Sequence, residues 1–151
     1  ETFMNAVTFA DHMPQNIQSR PSIHFTPNTG WMNDPNGLIY QNGIYQMFFQ
    51  HNPFDTKWEN MCWGHATSKD LLHWEQTDTA LFPDCDGTMF SGSGIVNERG
   101  LLGLPEDALI FFYTCAGGTS NWSKGKKFVQ KIAYSLDNGR TVIKRKNPIY
   151  C

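Results

Sequence analysis

The chain of 151 residues is 40% hydrophobic and 14% aromatic, enough apolar material for one folded domain with a real core, which excludes an intrinsically disordered chain. Charged residues are 17% and the formal net charge is -2, so there is no broad basic surface to neutralise phosphates and no nucleic-acid partner is expected. No apolar run approaches the roughly 20 residues that cross a bilayer, so no membrane partner is expected, and Cys62, Cys85, Cys115 and Cys151 include no Cys-x-x-Cys pair of the kind that builds a zinc site.

Residues 1–22 carry no clear period and read as an arm or linker; the first 20 also lack the basic start and apolar middle of a signal peptide. Strand signals begin at Ile23. Gly37 to Gln41 is a short apolar run, Asn42-Gly43 is a strong two-residue hairpin signal, and Ile44 to Gln50 continues on the other side. A polar loop from His51 to Asn60 leads to a third strand, Cys62 to Thr67, then a turn at Ser68-Lys69-Asp70 and a fourth strand, Leu72 to Gln76.

The pattern then recurs. Gly92 to Val96, Ala108 to Thr114, Phe128 to Ser135 and Thr141 to Lys144 form a second set of four, with Asp137-Asn138-Gly139 as the last turn. The third-strand endings share a loose Ala-x-Ser-x-Asp, at Ala66-Thr67-Ser68-Lys69-Asp70 and Ala133-Tyr134-Ser135-Leu136-Asp137. Two antiparallel four-stranded units of somewhat over 40 residues each predict β-propeller blades, one over about 31–80 and the next over about 88–147, in a partial propeller over 23–151. A β-sandwich is the competing all-β architecture; the repeat favours blades. Two blades cannot close a ring, which implies a fragment, a truncated product or one part of an assembly, with an exposed blade edge free to pair with the remainder or with another copy.

The richest stretch is Trp31-Met32-Asn33-Asp34-Pro35-Asn36-Gly37. On residue types alone it reads as a turn, since Asn, Asp, Pro and Gly all favour turns. Trp63, Trp74, Phe48 and Phe49 alternate with polar residues and read as blade-to-blade core. His24, His51, His65 and His73 lack metal-ligand spacing, so no metal site is expected and structural hydrogen bonding is the assignment. Lys124-Gly125-Lys126-Lys127 reads as a solvated turn, and Asn121-Trp122-Ser123 fits the N-glycosylation pattern.

Taken with Phe48-Phe49-Gln50, Trp63-Gly64-His65-Ala66, Ser68-Lys69-Asp70-Leu71 and Phe90-Ser91-Gly92-Ser93, the Trp31–Gly37 stretch resembles glycoside hydrolase family 32, the invertases, levanases, inulinases and related fructosyltransferases. The resemblance runs from about Ile23 to Tyr150. It implies an all-β fold in which two four-stranded antiparallel blades belong to a five-bladed β-propeller, incomplete in this chain. It further implies a fructoside or fructan substrate, no cofactor, and a secreted or periplasmic location. By the same resemblance Asp34 matches the catalytic nucleophile, Asn33 and Gln50 match sugar ligands, Trp58 an aromatic lining the pocket, and Phe90 and Ser91 a wall and a hydroxyl contact. Asp34 and Ser91 are each expected just before the first strand of their blade, where innermost strands converge on the channel.

Retaining hydrolysis uses two carboxylates about 5–5.5 Å apart. The family's second carboxylate lies in a Glu-Cys motif and its transition-state stabiliser in an Arg-Asp-Pro motif, and neither an Arg-Asp nor a Glu-Cys pair occurs in this sequence. Asp84, Asp86 and Glu59 read as solvated loop charges, not substitutes. The chain alone is therefore expected to lack useful hydrolase activity. Cys62, where His is common, and Gly94, where Ala is common, are smaller departures expected to be tolerated.

Overall fold

The structure is a computed structural model and describes residues 20–149; Cys151 and most of the expected arm lie outside the described residues. Eight strands follow in order: β1 (Trp31–Gln41), β2 (Ile44–Asn52), β3 (Cys62–Ser68), β4 (Trp74–Gln76), β5 (Thr88–Val96), β6 (Leu109–Ala116), β7 (Phe128–Ser135) and β8 (Ile143–Lys144). They form two antiparallel sheets in strict sequence order, β1-β2-β3-β4 and β5-β6-β7-β8. The β1–β2 turn closes at Gln41 opposite Ile44, with Asn42 and Gly43 both at positive φ (52° and 81°), the geometry a two-residue hairpin needs.

The fourth strands are shorter than the sequence pattern predicts, for the same reason in both sheets. After β3, Ser68 donates its hydroxyl to Asp70, and Asp70 Oδ1 accepts the backbone N–H groups of Leu72 and His73. After β7, Ser135 donates to Asp137, whose carboxylate accepts the N–H and hydroxyl of Thr141. Side-chain oxygens thus take backbone donors that a longer strand would have used.

Sequential order without a crossover, with β1 packed on β5, is the arrangement of neighbouring blades, whereas a sandwich of this size uses Greek-key connections. Glycine allows the close approach. A Cβ at Gly94 of β5 would lie 2.8 Å from Ile39 Cδ1 and 3.2 Å from the Cα of Gly37, so an alanine here requires Ile39 to move. Between the sheets lie Phe48, Trp63, Leu81, Met89, Leu109, Phe111, Tyr113 and Cys115, all buried, with the Phe111 ring 4.7 Å from Phe48 and 6.1 Å from Trp63. Phe48 and Trp63 are the blade-to-blade core expected of them. Phe49 is equally buried, but strand alternation turns it away, against Phe25 at 5.2 Å; Trp74, half-buried, also meets Phe25, at 6.3 Å.

Polar contacts fasten one sheet to the other. Gln46 of β2 donates to Asn138 in the β7–β8 turn (2.8 Å). Asp84 and Asp86, in the connection between the sheets, are not the solvated loop charges expected. Asp84 pairs with Lys144 of β8 (2.9 Å), and Asp86 with buried Lys131 of β7 (2.6 Å) and with Lys126 (3.2 Å). The Lys131 ammonium, then that of Lys126, holds the Asp86 carboxyl below its ordinary range. The correction extends to Lys126, which is a tether as well as part of a basic loop. Burial pushes the Cys62 and Cys115 thiols up to about 12 and about 11, so both stay protonated. Among the described residues no helix is long and apolar enough to cross a membrane, and no cluster of three or more ligating side chains suits a metal ion.

His65 sits in this fastening. Its ring stacks on Phe48 (centroids 4.2 Å apart), its Nε2–H donates to Gln46 Oε1 (3.1 Å), and its Nδ1 accepts the Thr77 hydroxyl (2.8 Å). Burial lowers its pKa from 6.5 to about 4. The unfolded chain therefore binds the proton more readily: this contribution is complete above pH 6.5, is lost as pH falls toward 4, and is constant below it. Urea unfolding between pH 7 and 4 is expected to show a loss to which His65 contributes up to about 3 kcal/mol, at 1.36 kcal/mol per unit; His65→Gln is expected to remove that part and to keep the part from His51, whose pKa burial also lowers.

Candidate active site

The site is made by two irregularities in register. Along β1, Met32 pairs with His51 and Pro35 with Phe49, so Asn33 and Asp34 together oppose the single residue Gln50. Along β5, Met89 pairs with Cys115 and Gly92 with Tyr113, so Phe90 and Ser91 together oppose Thr114. Each first strand thus carries a β-bulge at the same relative place, and a bulge bends its strand and re-aims the inserted side chains. The structure corrects the expectation that these residues precede their strands. They lie inside β1 and β5, and the motif's turn-forming residues produce a bulge rather than a turn.

The two bulges meet. The Ser91 hydroxyl donates to Asp34 Oδ2 at 2.7 Å, and Asn33 Nδ2 donates to Asp34 Oδ1 at 3.2 Å. All three side chains are exposed, so a carboxylate with both oxygens oriented stands at the surface between the sheets. Beside it Trp58 meets Phe90 edge-to-face at 5.9 Å, and Phe90 meets Phe128 likewise at 5.6 Å. Trp58 and Phe128 are each 53% exposed. The β2–β3 and β6–β7 loops open at the same end, because β2 ends opposite Trp31 and β6 ends opposite Thr88.

Behind this surface the bulges are braced. Gln50 is buried and donates from Nε2 to the Met89 carbonyl (2.9 Å); Trp63 Nε1 donates to the Phe90 carbonyl (2.9 Å). Asn36, also buried, accepts the Gly92 N–H on its Oδ1 (3.2 Å). The structure therefore brings together Asn33, Asp34, Phe90 and Ser91, adds Trp58 at the rim, and places Gln50 directly beneath. Reasoning from the sequence missed the bracing role of Asn36; its place in the motif was the available signal, obscured by the turn reading. Glu59 is exposed beside Trp58.

Two neighbouring propeller blades, with an oriented carboxylate and aromatic walls where their innermost strands meet, define the class. The chain belongs to glycosyl hydrolase family 32: residues 24–151 match the model of the glycosyl hydrolases family 32 N-terminal domain. A levanase of Bacillus subtilis is 46% identical over 125 residues, covering 81% of this chain and 17% of that protein. An invertase of Schizosaccharomyces pombe is 42% identical over 146 residues, covering 89% of this chain and 24% of the invertase. A fructofuranosidase of Schwanniomyces occidentalis, solved in complex with fructose, superimposes with a TM-score of 0.73 at 38% identity, over 83% of this chain and 25% of that one. The fold is accordingly two four-stranded antiparallel blades of the family's five-bladed β-propeller, and the chain spans about a quarter or less of the relatives it matches.

The brace between the bulges is measurable by itself. Asn36→Ala removes the acceptor of a backbone N–H at the β1–β5 contact and is expected to cost about 1–3 kcal/mol in urea unfolding. Leu38→Ala, at an exposed position of the same strand, is expected to stay within about 0.5 kcal/mol.

Proposed function

We propose that this chain carries the nucleophile half of a retaining β-fructofuranosidase site acting on the fructosyl bonds of sucrose or fructans. The observation that supports this reading best is the 2.7 Å hydrogen bond from Ser91 to Asp34 across two blades. In this reading the free lone pair of Asp34 attacks the anomeric carbon of the fructosyl unit. The glycosidic bond breaks, the leaving oxygen takes a proton from a second carboxylic acid, and a fructosyl ester forms on Asp34. Water then cleaves the ester, restoring the configuration by a second displacement. Asn33 and Ser91 fix the attacking carboxylate, and both can also reach a sugar hydroxyl. Trp58 and Phe90 supply the apolar wall, and Gln50 enters through its carbonyl oxygen, since its nitrogen is engaged by Met89.

The acid/base carboxylate must come from elsewhere. Asp84 and Asp86 are committed to Lys144, Lys131 and Lys126, and neither an Arg-Asp nor a Glu-Cys pair occurs in the sequence. This supports a second reading, in which the chain binds fructosides without turning them over and pairs with further blades or another copy through its open blade. Calorimetric titration of the chain with fructose is expected to show binding that Ser91→Ala weakens at least fivefold. Sucrose, inulin and levan are expected to remain intact in its presence. Absence of fructose binding would overturn both readings, and robust turnover by the chain alone would overturn the division of the site.

A further inference from the structure

Asn36 of β1 and Trp63 of β3 lie on the face of the first sheet that meets the second, since Asn36 pairs with Phe48, and Gln50, two residues beyond Phe48, pairs with Trp63. Both are buried. Their hydrogen bonds fall on the two peptide groups that flank Ser91. Trp63 Nε1 donates to the Phe90 carbonyl (2.9 Å), part of the peptide joining Phe90 to Ser91, and Asn36 Oδ1 accepts the Gly92 N–H (3.2 Å), part of the peptide joining Ser91 to Gly92. A peptide group is planar, so holding the two on either side of a Cα fixes φ and ψ of that residue, and with them the direction of its Cα–Cβ bond. Gly92 has little room to yield, because a Cβ there would lie 1.9 Å from the Phe112 carbonyl oxygen of β6. Only χ1 of Ser91 is then left to bring its hydroxyl to Asp34 Oδ2. Asn36 also keeps a buried Nδ2 with no hydrogen-bond partner among the described residues. An unpaired amide donor in the interior is destabilising, so the contact with Gly92 is kept at a cost in stability.

We propose that Trp63 and Asn36 are positioning residues for sugar recognition: by gripping the peptides on both sides of Ser91 from the neighbouring blade, they aim its hydroxyl at Asp34. This role rests on the reading of Asp34 and Ser91 as the sugar site, and it adds two residues that act through Ser91 without touching the sugar. Trp63 is 0% and Asn36 2% exposed, which leaves no surface for a ligand to reach. The first blade thus supplies the carboxylate and also the template that shapes its partner. The tolerance is narrow: the Ser91–Asp34 contact is 2.7 Å, and a separation of about 3.6 Å is no longer a hydrogen bond, so a displacement of about 1 Å breaks it. Loss of either grip frees one of the two dihedral angles of Ser91, and the hydroxyl then samples positions from which Asp34 is out of reach.

The test is a pair of double-mutant cycles read by calorimetric titration of the chain with fructose, with thermal unfolding of every variant so that affinities are compared where all are folded. Trp63→Phe keeps an aromatic ring and removes the N–H; Asn36→Ala removes the acceptor. Each is expected to weaken fructose about two- to fivefold in the parent and to change it by less than about 1.5-fold when Ser91 is already alanine. Phe111→Leu, in the same core but with no side-chain hydrogen bond to give, is expected to lower the melting temperature and leave the affinity unchanged. A merely structural role would lower melting temperatures alone. Unchanged affinity in both Trp63→Phe and Asn36→Ala, losses that simply multiply with that of Ser91→Ala, or an equal loss in Phe111→Leu would each overturn the positioning role while the sugar site stands. If the parent binds no fructose, the reading of Asp34 and Ser91 fails and this role with it.

Discussion

One bulge near the start of each of two strands governs the arrangement. With an uninterrupted ladder, β1 would alternate its side chains strictly between the faces of the sheet, and Asn33 and Asp34 would point to opposite sides. The bulge opposite Gln50 breaks that alternation and delivers both toward one carboxylate geometry; the matching bulge opposite Thr114 brings Ser91 to meet it. Two bulges at the same place in adjacent blades are a structural repeat that brings Asp34 of one first strand to Ser91 of the next.

A bulge is a weak point in a sheet, and the surrounding contacts show how it is held. Gln50, Asn36 and Trp63 each give or take a hydrogen bond with the backbone of residues 89–92, so the β5 bulge is fastened to the first sheet at three points. Further out, Lys144 and Lys131 hold the connection between the blades by Asp84 and Asp86, and Gln46 links the opposite end to Asn138. Lys131 is buried, so loss of Asp86 would leave an uncompensated ammonium inside the protein, which is why such a pair is sensitive to removal of either partner. The blades are thus locked by apolar packing at their centre and polar fastenings at both ends, and Asp34 inherits that rigidity.

Much of this was legible in the sequence and some was not. The hairpin at Asn42-Gly43, the limits of β7 and the repeat of a four-stranded unit are local properties, carried by φ preferences and alternation, and the structure agrees with them. The positions of Asn33, Asp34, Phe90 and Ser91 came from family resemblance. Their bulged conformation did not follow from either source, because the residues that favour turns also favour bulges and only the partner strand decides between them. The lysine pairs of Asp84 and Asp86 were hidden for a similar reason: about 45 to 60 residues separate the partners, and only the packing of the connection against β7 and β8 brings them together. Phe49 shows the limit of alternation, which gives its face relative to Phe48 but not what covers it; that is Phe25, from the segment before β1.

If Asp34 and Ser91 seat the sugar, recognition lies at the bulged end of the first strands and nowhere else on them. Following backbone amide resonances during a fructose titration tests this directly, since β1 and β5 each run from that end to the other. The result predicted is a set of shifts centred on Asn33, Asp34, Ser91 and Gly92, with Tyr40 and Val96 at the far ends unmoved. Shifts centred on Leu38, Tyr40 and Ile95, with the residues around Asp34 unaffected, would contradict it.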